Sequence, residues 1–369
     1  MSTTLAPQSD PLEMPTAHRV SMLSRNDRLF HVILAQQFDR EIIETLCRLA
    51  EMTRNIGESK HGTHFLRSLL SHKRAMLYFI QPSTRTFLSF ASACQILGMP
   101  CNEVRNPSTS SEVKGETEED TIHVLSQYFD LIIMRHPAEG FAERMAYKIN
   151  GMPRPIPIVN GGSGKDQHPT QAMLDIYTLL RNFEPRLADK ARPMLTGDPF
   201  EGKTIAFVGD LKRGRTVRSL SYLLCRYPGV RLVFVAPPEL RMGQDILEYL
   251  DRNGMRYEEC DDLNKVIRSC DAVYMTRLQD EYDQAGESKK IDYYKYSLTL
   301  EMVEHAKNHL VIMHPLPRRR ELDVRLDTDP RAQYWAQVRN GMWMRAAIIA
   351  YIFNADATII DHYQSHYTL

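Results

Sequence analysis

Ala75-Met76-Leu77-Tyr78-Phe79-Ile80, followed directly by Gln81-Pro82-Ser83-Thr84-Arg85-Thr86, is the stretch on which the reading of the fold turns. The apolar run reads as a buried strand, and Phe87, Phe90, Ala91 and Cys94 then recur at the spacing of a helix. Ser83 and Thr84 stand where N-cap residues belong, at a helix start whose first backbone N–H groups have no partner within the helix. Free N–H groups, hydroxyls and the Arg85 guanidinium together make an anion site. Simple capping, with Arg85 on a solvated face, is the plainer alternative at this one turn.

Working outward, the same strand–turn–helix grammar repeats. Upstream, Ile42, Ile43, Leu46, Leu49 and Ala50 keep helical spacing behind an N-cap at Asp39, and residues 60–74 read as a short basic helix and turn. Downstream, a polar loop from Asn106 to Lys114 leads into a helix through Tyr128. Strands follow at Asp130–Met134 and Ile156–Asn160, and His168-Pro169-Thr170-Gln171 opens another helix. A Pro-containing linker over 182–201 marks a domain boundary. Beyond it, strands are legible at Thr204–Val208, Arg231–Ala236, Ala272–Thr276 and His309–Met313, and a last apolar helix runs from about Tyr334 to Phe353.

This alternation predicts an α/β protein of two doubly wound parallel-sheet domains with the active site in the cleft between them. The expected boundaries are a mobile extension over 1–35, a first domain over 36–182, a second over 183–333, and a carboxyl-terminal helix over 334–369 returning to the first.

The 46 basic and 46 acidic residues balance, so no global charge favours nucleic acid. Cys47, Cys94, Cys101, Cys225, Cys260 and Cys270 form no CxxC pair and read as reduced thiols, which points to the cytoplasm and away from a zinc site. No apolar run approaches the ~20 residues that cross a bilayer. Asp10 and Glu13 interrupt any basic amphipathic leader.

The chemistry lies just beyond the strands. The first half offers Ser83, Thr84, Arg85, Thr86, Arg135, His168 and Gln171, and the second offers Arg215, Arg277, Gln279 and His314-Pro315-Leu316-Pro317. Cationic and amide groups gather there without a carboxylate pair or a Ser–His–Asp order, which suits anion binding rather than covalent catalysis. Arg135 paired with a surface carboxylate and His168 as a capping core histidine are the structural alternatives. Gly209-Asp210 with Gly214 does not match the dinucleotide fingerprint, and no P-loop is present.

Ser-Thr-Arg-Thr at 83–86, Lys-Gly-Glu-Thr at 114–117, Met-Arg-His-Pro at 134–137 and His-Pro-Thr-Gln at 168–171 together resemble the aspartate/ornithine carbamoyltransferase family. Gly-Asp-Leu-Lys at 209–212, Gly-Arg-Thr-Val at 214–217, Met-Thr-Arg-Leu-Gln at 275–279 and His-Pro-Leu-Pro-Arg at 314–318 resemble its aspartate branch; the ornithine branch would be expected to carry Cys at position 315. The resemblance implies condensation of carbamoyl phosphate with L-aspartate, an early step of pyrimidine synthesis, without metal or cofactor. Ser83 to Thr86 would hold the phosphate, and Thr86, Arg135 and His168 the carbonyl oxygen. Gln171 with the carbonyls of Pro315 and Leu316 would orient the carbamoyl NH2, and Arg215, Arg277 and Gln279 would hold the aspartate carboxylates. Ser110 and Lys114 would reach a neighbouring subunit's site, implying a homotrimer.

Five residues depart from the family pattern. Gln81 and Tyr282 replace a common Glu and Arg that help latch the closed form in relatives, and Phe87 stands where many have Arg. Arg319 and Arg320 replace more neutral or acidic residues. A carbamoyltransferase for another amino acid and a catalytically silent paralogue are the rival expectations.

Overall fold

The computed structural model describes residues 10–105, 116–164, 167–277 and 292–367. The chain begins with α1 (Thr16–Met22), an antiparallel hairpin of β1 (Ser24–Arg25) and β2 (Arg28–Leu29), α2 (Arg40–Ile56) and α3 (Lys60–Leu69). There follow β3 (Ala75–Phe79), α4 (Thr84–Ile96), β4 (Cys101–Val104), α5 (Glu118–Tyr128), β5 (Leu131–Arg135), α6 (Phe141–Asn150), β6 (Ile158–Asn160) and α7 (Pro169–Phe183). Past the linker come β7 (Thr204–Val208), α8 (Arg215–Leu224), β8 (Arg231–Val235), α9 (Gln244–Arg252), β9 (Arg256–Cys260) and β10 (Ala272–Met275). The chain closes with α10 (Leu300–Glu304), β11 (Val311–Met313), α11 (Tyr334–Ile352) and α12 (Asp356–Tyr367).

Two parallel sheets result, ordered β4-β3-β5-β6 and β11-β10-β7-β8-β9. Their central strands are buried along their length, which is why β3, β5 and β10 read as unbroken apolar runs. The edge strands β4 (Cys-Asn-Glu-Val) and β9 (Arg-Tyr-Glu-Glu-Cys) escape a sequence reading because they are half exposed and polar. Helix starts follow their capping residues. Asp39 Oδ1 accepts the Ile42 N–H at 2.8 Å, and Thr117 caps α5 ahead of three acidic residues in its first turn.

Packing divides the chain into two compact units, one of residues 1–37, 56–169 and 348–357 and one of 38–55, 170–347 and 358–369. This differs from the linear boundaries expected: most of α2 and α7 join the second unit, and the carboxyl-terminal segment is shared. Within that second unit the reason is a set of polar bonds between helices far apart in sequence. The buried Glu51 of α2 accepts from the Tyr177 hydroxyl at 2.6 Å and pairs with Arg181 at 2.7 Å, both from α7. Arg54 donates to Asn340 of α11, whose own amide donates to Thr178.

The segment 10–35, expected as part of a mobile arm, is packed in the structure. Arg19 makes a two-pronged bond to the buried Glu143, Leu23 lies in the first unit's core, and Val32 bridges to Val159 beside β6. Among the described residues no single helix is long and apolar enough to cross a membrane.

His31 is the sharpest structural commitment of that segment. Its ring is buried, with Nε2 3.0 Å from Asn150 Oδ1 and Nδ1 accepting the Ile158 N–H at 3.0 Å. A second ring proton would face the Ile158 N–H, so the fold holds the neutral imidazole, and burial pushes its pKa down to about 4. In the unfolded chain the ring takes a proton from about pH 6.5 downward. Stability from His31 is therefore complete above that pH and lost as pH falls toward 4, by about 3 kcal/mol in all. Urea unfolding of wild type and His31→Gln at pH 7.5 and 4.5 checks this: the wild type should lose more stability on acidification than the variant.

Candidate active site

Each sheet reverses its strand order once, between β3 and β5 in the first and between β7 and β10 in the second. Crossovers leave in opposite directions at such a point, so the loops beyond those strand ends diverge and leave a crevice for ligand. Arg85 and Arg135 lie at the first of these points and Arg215 and Arg277 at the second, whereas His168 and Gln171 follow β6 and the turn of Pro315 to Pro317 follows β11, the outer strands beside them.

In the first unit, Ser83 is the N-cap of α4 in an extended conformation, and its side chain makes no capping bond. The hydroxyl is therefore not spent on the helix's own N–H groups. Thr84 and Arg85 are exposed, whereas Thr86 is buried in the first turn. Arg135 ends β5, buried, and its Nη1 donates to the Gly161 carbonyl at 3.1 Å. The two strand ends are tied together by the Gln81 N–H, which donates to the Arg135 carbonyl at 3.1 Å.

A residue that sequence reading missed brings Arg135 and His168 together. Gly162, in the turn after β6, has φ +97°, and a Cβ there would lie 2.7 Å from Arg135 Nη1 and 3.0 Å from His168 Nε2. Both cationic or polar side-chain ends thus rest against one stretch of bare backbone. Asn160 Oδ1 fixes that turn by accepting the N–H groups of Gly162 and Ser163 at 2.8 and 2.9 Å. The Gly-Gly pair at 161–162 was the available signal.

In the second unit, Gly209 follows β7 with φ +114°, and a Cβ would come within 2.3 Å of the Thr276 carbonyl. Only glycine lets the ends of β7 and β10 approach so closely. Arg215 opens α8, half-buried, behind the Gly214 N-cap, and Arg277 lies two residues past β10. Gln171, in the first turns of α7, donates its amide to Asp175 at 2.9 Å. After β11 the chain turns through Pro315, Leu316 and Pro317. Leu316 has φ +54°, a conformation that costs a non-glycine residue about 1 kcal/mol. The His314 ring offsets that cost: Nδ1 accepts the Leu316 N–H at 2.7 Å, and Nε2–H donates to Glu321 at 2.8 Å. Ser110, Lys114, Gln279 and Tyr282 lie outside the described residues.

Two departures acquire physical accounts. Gln81 Oε1 is buried with no hydrogen-bond partner among the described residues. A charged carboxylate in such surroundings would cost more than the neutral amide that stands there. Phe87 is buried edge-on against Phe79, ring centroids 5.5 Å apart, and carries the Arg105 guanidinium 3.4 Å from its own centroid. Its aromatic face therefore holds a cation from the end of β4.

Two parallel-sheet α/β units, each with guanidinium groups at its switch point, place the chain in the class of two-domain α/β proteins. The chain belongs to the aspartate/ornithine carbamoyltransferase family: residues 31–181 match its carbamoyl-P binding domain and residues 201–352 its Asp/Orn binding domain. Aspartate carbamoyltransferase 1, chloroplastic, of Pisum sativum is 40% identical over 328 residues, which cover 87% of this chain and 78% of the pea protein. The aspartate carbamoyltransferase catalytic subunit of Chromobacterium violaceum is 38% identical over 88% of this chain and 98% of its own length. Among solved structures, Trypanosoma cruzi aspartate transcarbamoylase with N-(phosphonacetyl)-L-aspartic acid superposes with TM-score 0.75 at 35% identity, over 87% of this chain and 94% of that one. The M. jannaschii catalytic subunit gives TM-score 0.74 at 35% identity, over 89% and 99%.

Gly162→Ala is the sharpest test of the candidate site in the first unit, because the added methyl must displace Arg135 or His168. Calorimetric titration with carbamoyl phosphate should find affinity reduced about tenfold or more, the loss of roughly one charge-assisted bond, with inorganic phosphate affected less.

Proposed function

We propose that this chain transfers the carbamoyl group of carbamoyl phosphate to the amine of L-aspartate, releasing N-carbamoyl-L-aspartate and phosphate. The observation that carries this reading is the pair of guanidinium groups at the switch point of each sheet, Arg85 with Arg135 and Arg215 with Arg277, in a chain matched along most of its length by this family's two domain models. L-Aspartate brings two carboxylates, which suit the Arg215 and Arg277 guanidinium groups. The side-chain ammonium of L-ornithine would be repelled by the same pair.

In the mechanism we infer, Ser83, Thr84, Arg85 and Thr86 bind the phosphate at the start of α4. Thr86, Arg135 and His168 donate to the carbonyl oxygen, where negative charge grows as the amine attacks the carbonyl carbon. Gln171 and the carbonyls of Pro315 and Leu316 orient the carbamoyl NH2. The new C–N bond forms as the C–O bond to phosphate breaks, and the departing phosphate takes the amine's proton. No protein base is needed, so positioning and charge neutralisation supply the rate.

Assembly and location are part of the same proposal. Leu88, Val124 and Tyr128, on α4 and α5, are large apolar residues exposed in the single chain, which supports association with further copies. A homotrimer in which Ser110 and Lys114 enter a neighbour's site is the arrangement we favour. Six unpaired thiols support a reducing compartment, here taken as the cytoplasm.

Purified protein should release phosphate and form carbamoylated product with L-aspartate and not with L-ornithine. Arg135→Ala should lower kcat by about a hundredfold or more, as expected for removal of one oxyanion donor. Product with ornithine alone would place the error in Arg215 and Arg277. Sedimentation equilibrium should give three times the chain mass, and mixing inactive Lys114→Ala with inactive His168→Ala should restore part of the activity if sites are shared.

A further inference from the structure

Asp175 is an acid on the buried side of α7, wholly enclosed, among Ala172, Leu174 and Ile176. Its Oδ1 accepts the Gln171 amide at 2.9 Å and the Gln337 amide at 2.6 Å, and its Oδ2 accepts the Tyr274 hydroxyl at 2.8 Å. Each partner leads toward a segment assigned to substrate. Gln171 is itself one. Tyr274 sits in β10, three residues before Arg277. Gln337 turns its Oε1 to the His314 N–H at 3.0 Å, and His314 in turn holds the Leu316 N–H.

The donor directions in this network are constrained. The His314 backbone N–H can only donate, so Gln337 must present its oxygen there and its NH2 to Asp175. An ionised carboxylate can only accept, so it likewise draws the NH2 of Gln171 inward and leaves the Gln171 carbonyl as the group free to meet an N–H donor.

We propose that Asp175 is a positioning residue that sets the substrate specificity of this site: by fixing which end of the Gln171 amide faces outward, it selects an acyl phosphate bearing an NH2 over one bearing a methyl group. The inference rests on the carbamoyltransferase reading and deepens it. Carbamoyl phosphate and acetyl phosphate have nearly the same shape, so packing alone discriminates them weakly. A site built to accept an N–H rejects the analogue that lacks it, because its own acceptor is then left unpaired.

The carboxylate's surroundings add a pH signature. Burial pushes the Asp175 pKa up to about 7, against the opposing effects of Gln337, Tyr274, Gln171 and the buried Arg345 of α11. Once protonated, Asp175 must give up either the Tyr274 hydroxyl at Oδ2 or an amide at Oδ1, so the network that holds Gln171 in one orientation is loosened. Preference for carbamoyl over acetyl phosphate should therefore decline as pH falls through about 7 in the wild type, and be flat in Asp175→Asn.

The test uses the full chain: wild type, Asp175→Asn, Gln171→Ala and the double variant, assayed with L-aspartate for KM and kcat on carbamoyl phosphate and for inhibition by acetyl phosphate. Asp175→Asn should lower the carbamoyl-to-acetyl preference about tenfold or more, and in the Gln171→Ala background should change it less than about threefold, the non-additivity of two residues acting through one contact. Wild-type preference in Asp175→Asn, or losses that multiply in the double variant, would overturn the inference and leave the carbamoyltransferase reading intact. If Asp175→Asn does not fold, Tyr274→Phe removes one of the three bonds that fix the carboxylate and should still narrow the preference about threefold; an unchanged preference there overturns the inference equally. Wild type with no turnover of carbamoyl phosphate would overturn the parent reading and this inference together.

Discussion

A parallel strand can be followed by its neighbour only through a crossover, and a sheet covered on both faces must send crossovers to both sides. Somewhere the strand order then reverses, and at that point two strand ends stand side by side with no connection covering them. Here the points lie at β3/β5 and β7/β10. The proposed site depends on how closely those ends approach. Gln81 ties the first pair through the Arg135 carbonyl, and Thr276 ties the second through the Val208 carbonyl, which accepts both its N–H and its hydroxyl. Gly209 permits that second approach and Gly162 permits the meeting of Arg135 with His168. Both approaches are made by the backbone at positions where a Cβ would clash.

Much of this was legible because buried parallel strands are continuous in apolar residues and their turns carry capping chemistry. The Ala75–Phe79 strand, the Thr84 helix start, Arg135 at the end of β5 and Arg215 and Arg277 beyond their strands follow from that pattern. What escaped follows from its limits. β4 and β9 pair on one side only and carry polar residues, so no apolar run marks them. The grouping of α2 and α7 with α11 depends on Glu51, Arg54 and Asn340, whose partners lie more than a hundred residues away. The order of the segment after residue 10 rests on Arg19 and His31, which meet Glu143 and Asn150 at comparable separations. Asp175 left a trace, a lone acid inside an apolar helical stripe, but its partners come from β10 and α11 and no spacing rule connects them.

At Gln81 and Phe87 the contacts are neutral. The Gln81 amide oxygen is buried where no partner is present among the described residues, and the Phe87 ring holds Arg105 above its face.

The central claim is that the two sets of donors serve one reaction. Its most direct measurement is calorimetric titration of N-(phosphonacetyl)-L-aspartic acid into wild type, Arg85→Ala and Arg277→Ala. That molecule joins a phosphonate to the aspartate carboxylates, so losing either guanidinium should weaken binding by about tenfold or more, the usual worth of a hydrogen bond to a charged group. Wild-type affinity in either variant would contradict the account.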